Sequence, residues 1–74
     1  MDVSIPRLGV AMTEGVLVEW LVAEGAVVDG GTPIYRLETD KVENEIEAPT
    51  GGTVRLLAEP GETYPVGTVV ARIE

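Results

Sequence analysis

Apolar and polar residues alternate with a period of two along residues 42 to 48: Val42, Asn44, Ile46 and Ala48 fall on one side, Glu43, Glu45 and Glu47 on the other. That is the pattern of a half-buried strand with its glutamates facing water. Ile34 to Leu37, a short apolar run with β-branched and aromatic members, predicts a second strand. The link between them, Thr39-Asp40-Lys41, lacks the Gly or Asn-Gly of a primed two-residue turn, so a type I turn is expected, with Lys41 at a hairpin tip. A helix over 34 to 48 is the competing reading, because the segment holds no Gly or Pro and is rich in Glu. Its apolar positions form no continuous stripe, only the i, i+4 pair Val42 and Ile46, and the hairpin is preferred.

The same reading along the chain predicts a strand from Asp2 to Pro6 and a loop from Leu8 to Gly15. A β-branched strand over Val16 to Val22 follows, then a short segment around Val27 and Val28. Beyond the hairpin, strands are expected at Thr53 to Ala58, Thr63 to Val66 and Val69 to Ile73. Nine glycines and five prolines leave no room for a long amphipathic helix. A valine-rich core without Phe favours strands.

The halves repeat one another. A shift of 36 pairs Gly15 with Gly51, Val18 with Val54, Leu21 with Leu57, Gly25 with Gly61, Gly31 with Gly67, Thr32 with Thr68, Arg36 with Arg72 and Glu38 with Glu74. These are eight identities over the 24 positions 15 to 38, where chance supplies about two. Upstream, a shift of 43 pairs Val3 with Ile46, Ile5 with Ala48 and Pro6 with Pro49, so the first half carries seven additional residues between Pro6 and Gly15. Two four-strand units, each too small to bury its own apolar face, are expected to pack about a pseudo-twofold axis as a flattened barrel of two four-stranded sheets, all-β. The hairpin at 38 to 42 then lies at one end and the chain termini at the other. Because Val18 and Leu21 stand three apart, a bulge or sharp bend within 18 to 21, at which the strand passes from one sheet to the other, is expected to turn both inward, with Val54 and Leu57 doing the same in the second half.

Composition sharpens this picture. Thirteen acids oppose five bases, a formal net charge of −8, which argues against nucleic acid or anionic lipid as a partner. No apolar run approaches the roughly 20 residues of a membrane span and no secretory signal opens the chain, so a soluble, intracellular protein is expected. Arg7, Arg36, Arg55 and Arg72 leave Lys41 as the one lysine, set among Glu38, Asp40, Glu43, Glu45 and Glu47. With neither His nor Cys, the usual acid–base and thiol nucleophile arrangements are unavailable. Trp20, in an apolar strand and matched in the repeat to Leu56, is expected to pack rather than bind. Met12 is expected to anchor the additional loop.

Glu14-Gly15, Glu19-Trp20, Glu24-Gly25, Gly31, Glu38-Thr39-Asp40-Lys41, Glu47-Ala48-Pro49, Gly52, Gly61 and Val66-Gly67 together resemble the lipoyl domain of 2-oxo acid dehydrogenase complexes. The resemblance covers essentially the whole chain. It implies a barrel-sandwich hybrid, one carrier domain over 1–74, monomeric, with lipoic acid in amide linkage to Lys41 and with Glu38, Thr39, Asp40 and Val42 forming the turn that a lipoate ligase or lipoyl transferase recognises. It further implies a non-catalytic swinging arm. The arm would take an acyl group from a thiamine-dependent 2-oxo acid decarboxylase, deliver it to an acyltransferase core and be reoxidised by dihydrolipoyl dehydrogenase. The location implied is the cytoplasm, or the mitochondrial matrix in a eukaryote. The additional loop would lie beside the lysine turn, where it is a candidate for partner recognition. Val42 stands where similar domains often have Ala, and Ala26 replaces an acidic residue usual after Glu24-Gly25; the substrate class stays open among pyruvate, 2-oxoglutarate, branched-chain and acetoin systems. Biotinyl domains are similar but carry Met on both sides of the lysine, where this chain has Asp40 and Val42. A biotinyl carrier and an unmodified adaptor module are the alternatives.

Overall fold

The computed structural model describes residues 1–39 and 42–74. Every regular element among them is a strand: β1 (Asp2–Ser4), β2 (Glu14–Trp20), β3 (Val27–Val28), β4 (Pro33–Thr39), β5 (Val42–Glu47), β6 (Gly52–Leu56), β7 (Glu62–Pro65) and β8 (Val69–Ile73). They form two antiparallel four-stranded sheets, ordered β1-β8-β6-β3 and β5-β4-β2-β7. The body is flattened, 32 × 21 × 17 Å. This is the expected barrel-sandwich hybrid.

The core lies between the sheets, where strand alternation delivers one apolar side chain in two. Val3, Ile5, Leu17, Ile34, Tyr35, Leu37, Val54, Val70, Ala71 and Ile73 are buried there. The predicted alternation holds along β5, where Asn44 and Ile46 are half-buried while Glu43, Glu45 and Glu47 are exposed. Trp20 packs against the core, as expected: its ring meets Tyr35 edge-on at 5.4 Å and its Nε1–H donates to the Ala58 carbonyl at 3.0 Å. That bond removes the cost of burying the indole N–H.

The internal symmetry extends to individual bonds. The Gly31 N–H donates to Ala48 O and the Gly67 N–H to Ile5 O; Ala48 N–H reaches Thr32 O as Ile5 N–H reaches Thr68 O; Leu21 N–H reaches Ile34 O as Leu57 N–H reaches Val70 O. Gly25 and Gly61 share φ near 82 and 87°, Gly31 and Gly67 near 93 and 92°. This left-handed conformation explains why glycine recurs at those two places in each half. Even the ion pairs correspond, Arg36 with Glu45 at 3.8 Å and Arg72 with Asp2 at 3.3 Å.

The predicted bulge is present, and it alters the predicted register. Along β2 and β4, Leu17 pairs with Leu37 but the next pair is Glu19 with Arg36, so Val18 is the additional residue. β6 and β8 run without interruption, Val54 with Ile73, Arg55 with Arg72, Leu56 with Ala71. Before the bulge the structural equivalence is therefore Leu17 with Val54 and Gly15 with Gly52, a shift of 37; after it, Glu19 with Arg55 and Trp20 with Leu56, a shift of 36. The pairing of Val18 with Val54 is corrected accordingly: Leu17 and Val54 are both fully buried, while Val18 is half-buried. Nor does Leu57 turn inward; it is 56% exposed, because β6 has no bulge to rotate it.

Candidate functional site

The hairpin of β4 and β5 is paired to its last residues, Glu38 opposite Glu43 and Thr39 opposite Val42. β4 thus runs two residues beyond its predicted end at Leu37, while β5 begins at Val42 as predicted. Asp40 and Lys41, the next residues in sequence, lie outside the described residues, and with them the predicted type I turn and the predicted place of Lys41. Of the other residues singled out, Glu38 and Val42 are exposed and Thr39 is half-buried. The structure brings these three together at one end of the hairpin.

The sheet that carries this hairpin is strongly acidic. Its strands hold Glu14, Glu19, Glu38, Glu43, Glu45, Glu47 and Glu62 against Arg36 alone. Strands of the other sheet hold Asp2 against Arg55 and Arg72. Arg36 compensates part of the excess: its guanidinium lies 2.6 Å from Glu19, 3.8 Å from Glu45 and 4.0 Å from Glu43. Glu38 and Glu43, directly opposed like charges, oppose strand pairing locally. An acidic frame of this kind raises the local concentration of cationic partners and steers their approach.

Residues 8–14 form the additional loop, and it lies beside the hairpin end as the resemblance implies. The Met12 N–H donates to Gly9 O at 3.1 Å and the Leu8 N–H to the Met12 sulfur at 3.2 Å. Met12 also packs against the core, which makes it the anchor of the loop. Between loop and hairpin runs a groove of about 630 Å³ whose walls include Leu8, Val10, Met12, Thr39, Val42 and Asn44. Val10 is 96% and Val42 56% exposed. The groove was not legible in the sequence: its two walls are some thirty residues apart, and Val10 carries no pattern of its own.

Two features away from the hairpin end also escaped the sequence reading. The Glu24 carboxylate accepts the Leu56 N–H at 2.6 Å and an Arg55 N–H at 3.1 Å, and these bonds, the backbone one first, hold its pKa below the ordinary value. Arg55 also reaches Glu74 at 2.9 Å, tying the C-terminal residue to β6. Tyr35 spans the sandwich from β4, its hydroxyl 3.4 Å from Ser4 O of the other sheet; burial pushes its phenol up to about 12. Among the described residues no group of three acidic, His or Cys side chains is arranged to hold a metal ion, and no helix is long and apolar enough to cross a membrane.

Comparison with known proteins bears on this frame directly. The family model described as biotin-requiring enzyme, which covers biotin and lipoyl attachment, matches residues 1–73. The chain is 45% identical over 73 residues to the dihydrolipoyllysine-residue acetyltransferase component of the pyruvate dehydrogenase complex of Corynebacterium glutamicum, covering 97% of this chain and 11% of that protein. It is 40% identical over 74 residues to the lipoamide acyltransferase component of the branched-chain alpha-keto acid dehydrogenase complex of Bacillus subtilis, covering 99% of this chain and 18% of that protein. It is 42% identical over 71 residues to the dihydrolipoyllysine-residue succinyltransferase component of the 2-oxoglutarate dehydrogenase complex of Staphylococcus saprophyticus, covering 95% and 17%. The chain thus spans less than a fifth of each of these relatives. With a family match over nearly its whole length and two symmetric four-stranded sheets, the chain belongs to the biotin/lipoyl attachment family.

Proposed function

We propose that residues 1–74 are one lipoyl carrier domain, with lipoate in amide linkage to Lys41 and with Glu38, Thr39, Asp40 and Val42 as the turn that the attaching enzyme reads. The observation that carries this reading is the sequence Glu38-Thr39-Asp40-Lys41-Val42 between the paired strand ends Thr39 and Val42, in a chain with no other lysine. The names of the relatives favour lipoate over biotin. When attached, the group supplies a dithiolane that carries acyl groups and electron pairs between active sites.

The residues present fit such a load. The two strands that flank Asp40-Lys41 in sequence are paired within one sheet as far as Thr39 and Val42, and the lysine stem with its acyl chain supplies the length and flexibility of the arm. A neighbouring groove with valine and leucine walls suits an aliphatic arm. The domain itself brings no His or Cys to the chemistry, and its role is to carry rather than to catalyse. Partners in this reading are a lipoate ligase or lipoyl transferase, a thiamine-dependent 2-oxo acid decarboxylase, an acyltransferase core and dihydrolipoyl dehydrogenase, in the cytoplasm. The acidic sheet suits basic docking faces on them.

The test is direct. Incubation with a lipoate ligase, ATP and lipoate should add the mass of one lipoyl group, and Lys41→Arg should gain none. An equal gain in the arginine variant would refute Lys41 as the site.

A further inference from the structure

The groove between residues 8–14 and the hairpin end is shaped by features that the carrier role alone does not require. Two of its walls, Thr39 and Val42, are the residues that flank Asp40-Lys41 in sequence, so any group attached at Lys41 is tethered within one residue of the groove. Its other wall exists because the first half carries six more residues between Pro6 and Gly15 than the second does between Pro49 and Gly52, and the internal Met12 contact fixes that wall. The exposed surfaces it offers are apolar: Leu8 is 47% exposed, Val10 96% and Val42 56%. Methyl groups left in water at this density call for a cover.

Charge selects among covers. The carboxylate of Glu14, itself part of the groove wall, disfavours an anionic occupant. Amide formation at a lysine removes its ammonium charge, leaving an arm that is neutral and largely aliphatic. Resting on the carrier reading above, we propose that this groove is a resting site for the domain's own lipoyl arm, in which Leu8, Val10 and Val42 cover the octanoyl chain between visits to the partner enzymes.

The tether sets the strength such a site needs. The effective concentration of a group on a short flexible link is on the order of millimolar, so a groove with only millimolar affinity for a short aliphatic chain is about half filled. Half occupancy shields the arm and still releases it at once to a partner. A tighter groove would slow the transfer the carrier exists to perform.

The experiment uses the domain lipoylated by ligase, with loading verified by intact mass. In a ¹³C-filtered NOE spectrum, the dithiolane and chain methylenes should show contacts to the methyls of Val10 and Val42, and Val10→Asp should erase them. Reduction of the dithiolane by a water-soluble phosphine should be about twofold faster in Val10→Asp than in the unsubstituted domain, following the half occupancy above. Val10 is almost fully exposed, so this variant retains the fold, which a ¹⁵N correlation spectrum checks. A loaded domain without these contacts, with equal reduction rates in the two forms, overturns the resting site and leaves the carrier reading standing. So does a groove whose methyls shift only when the decarboxylase, or a higher concentration of the domain, is added. A domain that gains no mass overturns the carrier reading and the resting site together.

Discussion

Strands β2 and β6 hold the same third place in their sheets, yet β2 contains one residue more. In β6 the ladder to β8 is regular, and Val54, Arg55 and Leu56 alternate inward, outward, inward. In β2, Val18 is inserted between Leu17 and Glu19, and the alternation resumes beyond it with Glu19 beside Arg36 and Trp20 beside Tyr35. The difference teaches that the two halves share a frame and not a register. The first half departs from the second at Val18 and by six further residues between Pro6 and Gly15, and the second departure builds the groove beside the hairpin. Symmetry supplies the sandwich, and the departures from it supply a distinct surface at one end.

The widest separation between the halves should appear on deleting one residue from each strand. Removing Val18 leaves Leu17, Glu19 and Trp20 in the order that β6 already uses, so the domain should fold, losing about 1–2 kcal/mol with the half-buried valine. Removing Arg55 turns Leu56 to the wrong face and shifts every later pair of β6, and that variant should be unfolded at room temperature. Circular dichroism and a ¹⁵N correlation spectrum separate the cases. Two deletions of equal effect would mean that Val18 is a required part of the β2 ladder.

A smaller contrast is expected at the equivalent glycines. A Cβ on Gly52 would lie 2.5 Å from the Glu74 carbonyl oxygen and 2.8 Å from Ile73 Cγ2, at φ +147°. A Cβ on Gly15 would meet only side chains, Leu37 Cδ1 at 2.8 Å and Thr39 Cγ2 at 3.2 Å. Backbone cannot yield as a side-chain tip can, so Gly52→Ala should cost about 2–3 kcal/mol and lower Tm by roughly 10 °C or more. Gly15→Ala should lower it by about half as much. Thermal melts that reverse this order would contradict the equivalence of Gly15 with Gly52.

The smallest effect concerns Glu24, which has Pro60 as its counterpart and so no equivalent bond in the other half. Its folded pKa is depressed by the Leu56 and Arg55 bonds. The stabilisation is therefore present above the ordinary value of 4.5 and is lost as pH falls through the lower folded value. Urea midpoints between neutral pH and pH 3 should fall more steeply for the unsubstituted domain than for Glu24→Gln. Parallel curves would show that the bonds are not maintained in solution.

Much of this was legible in the sequence, for physical reasons. The alternation of Glu43, Glu45 and Glu47 with apolar residues marks one face of β5, and glycines needed at positive φ recur at Gly25/Gly61 and Gly31/Gly67, so the repeat announces the symmetry. The one-residue error at Val18 arose because Gly51 and Gly52 stand together: a glycine answers Gly15 at either shift, and Val54 finds an apolar match in Val18 or in Leu17. Only backbone pairing decides between them. Glu24 as a brace for β6 was hidden for a different reason, since its partners lie in the other half of the chain and no local pattern marks a carboxylate that accepts a distant N–H. The groove shares that obstacle.

The central claim is that the hairpin presents one amine by position. It is tested most directly by exchanging Asp40 and Lys41, Asp40→Lys with Lys41→Asp, and weighing the protein after incubation with a lipoate ligase. The exchange keeps composition and charge but moves the amine by one residue, about 3.8 Å between consecutive Cα atoms. Lipoylation should fall by orders of magnitude while circular dichroism stays unchanged. Efficient lipoylation of the exchanged protein would show that the ligase needs only an exposed amine among acids, and would contradict the account.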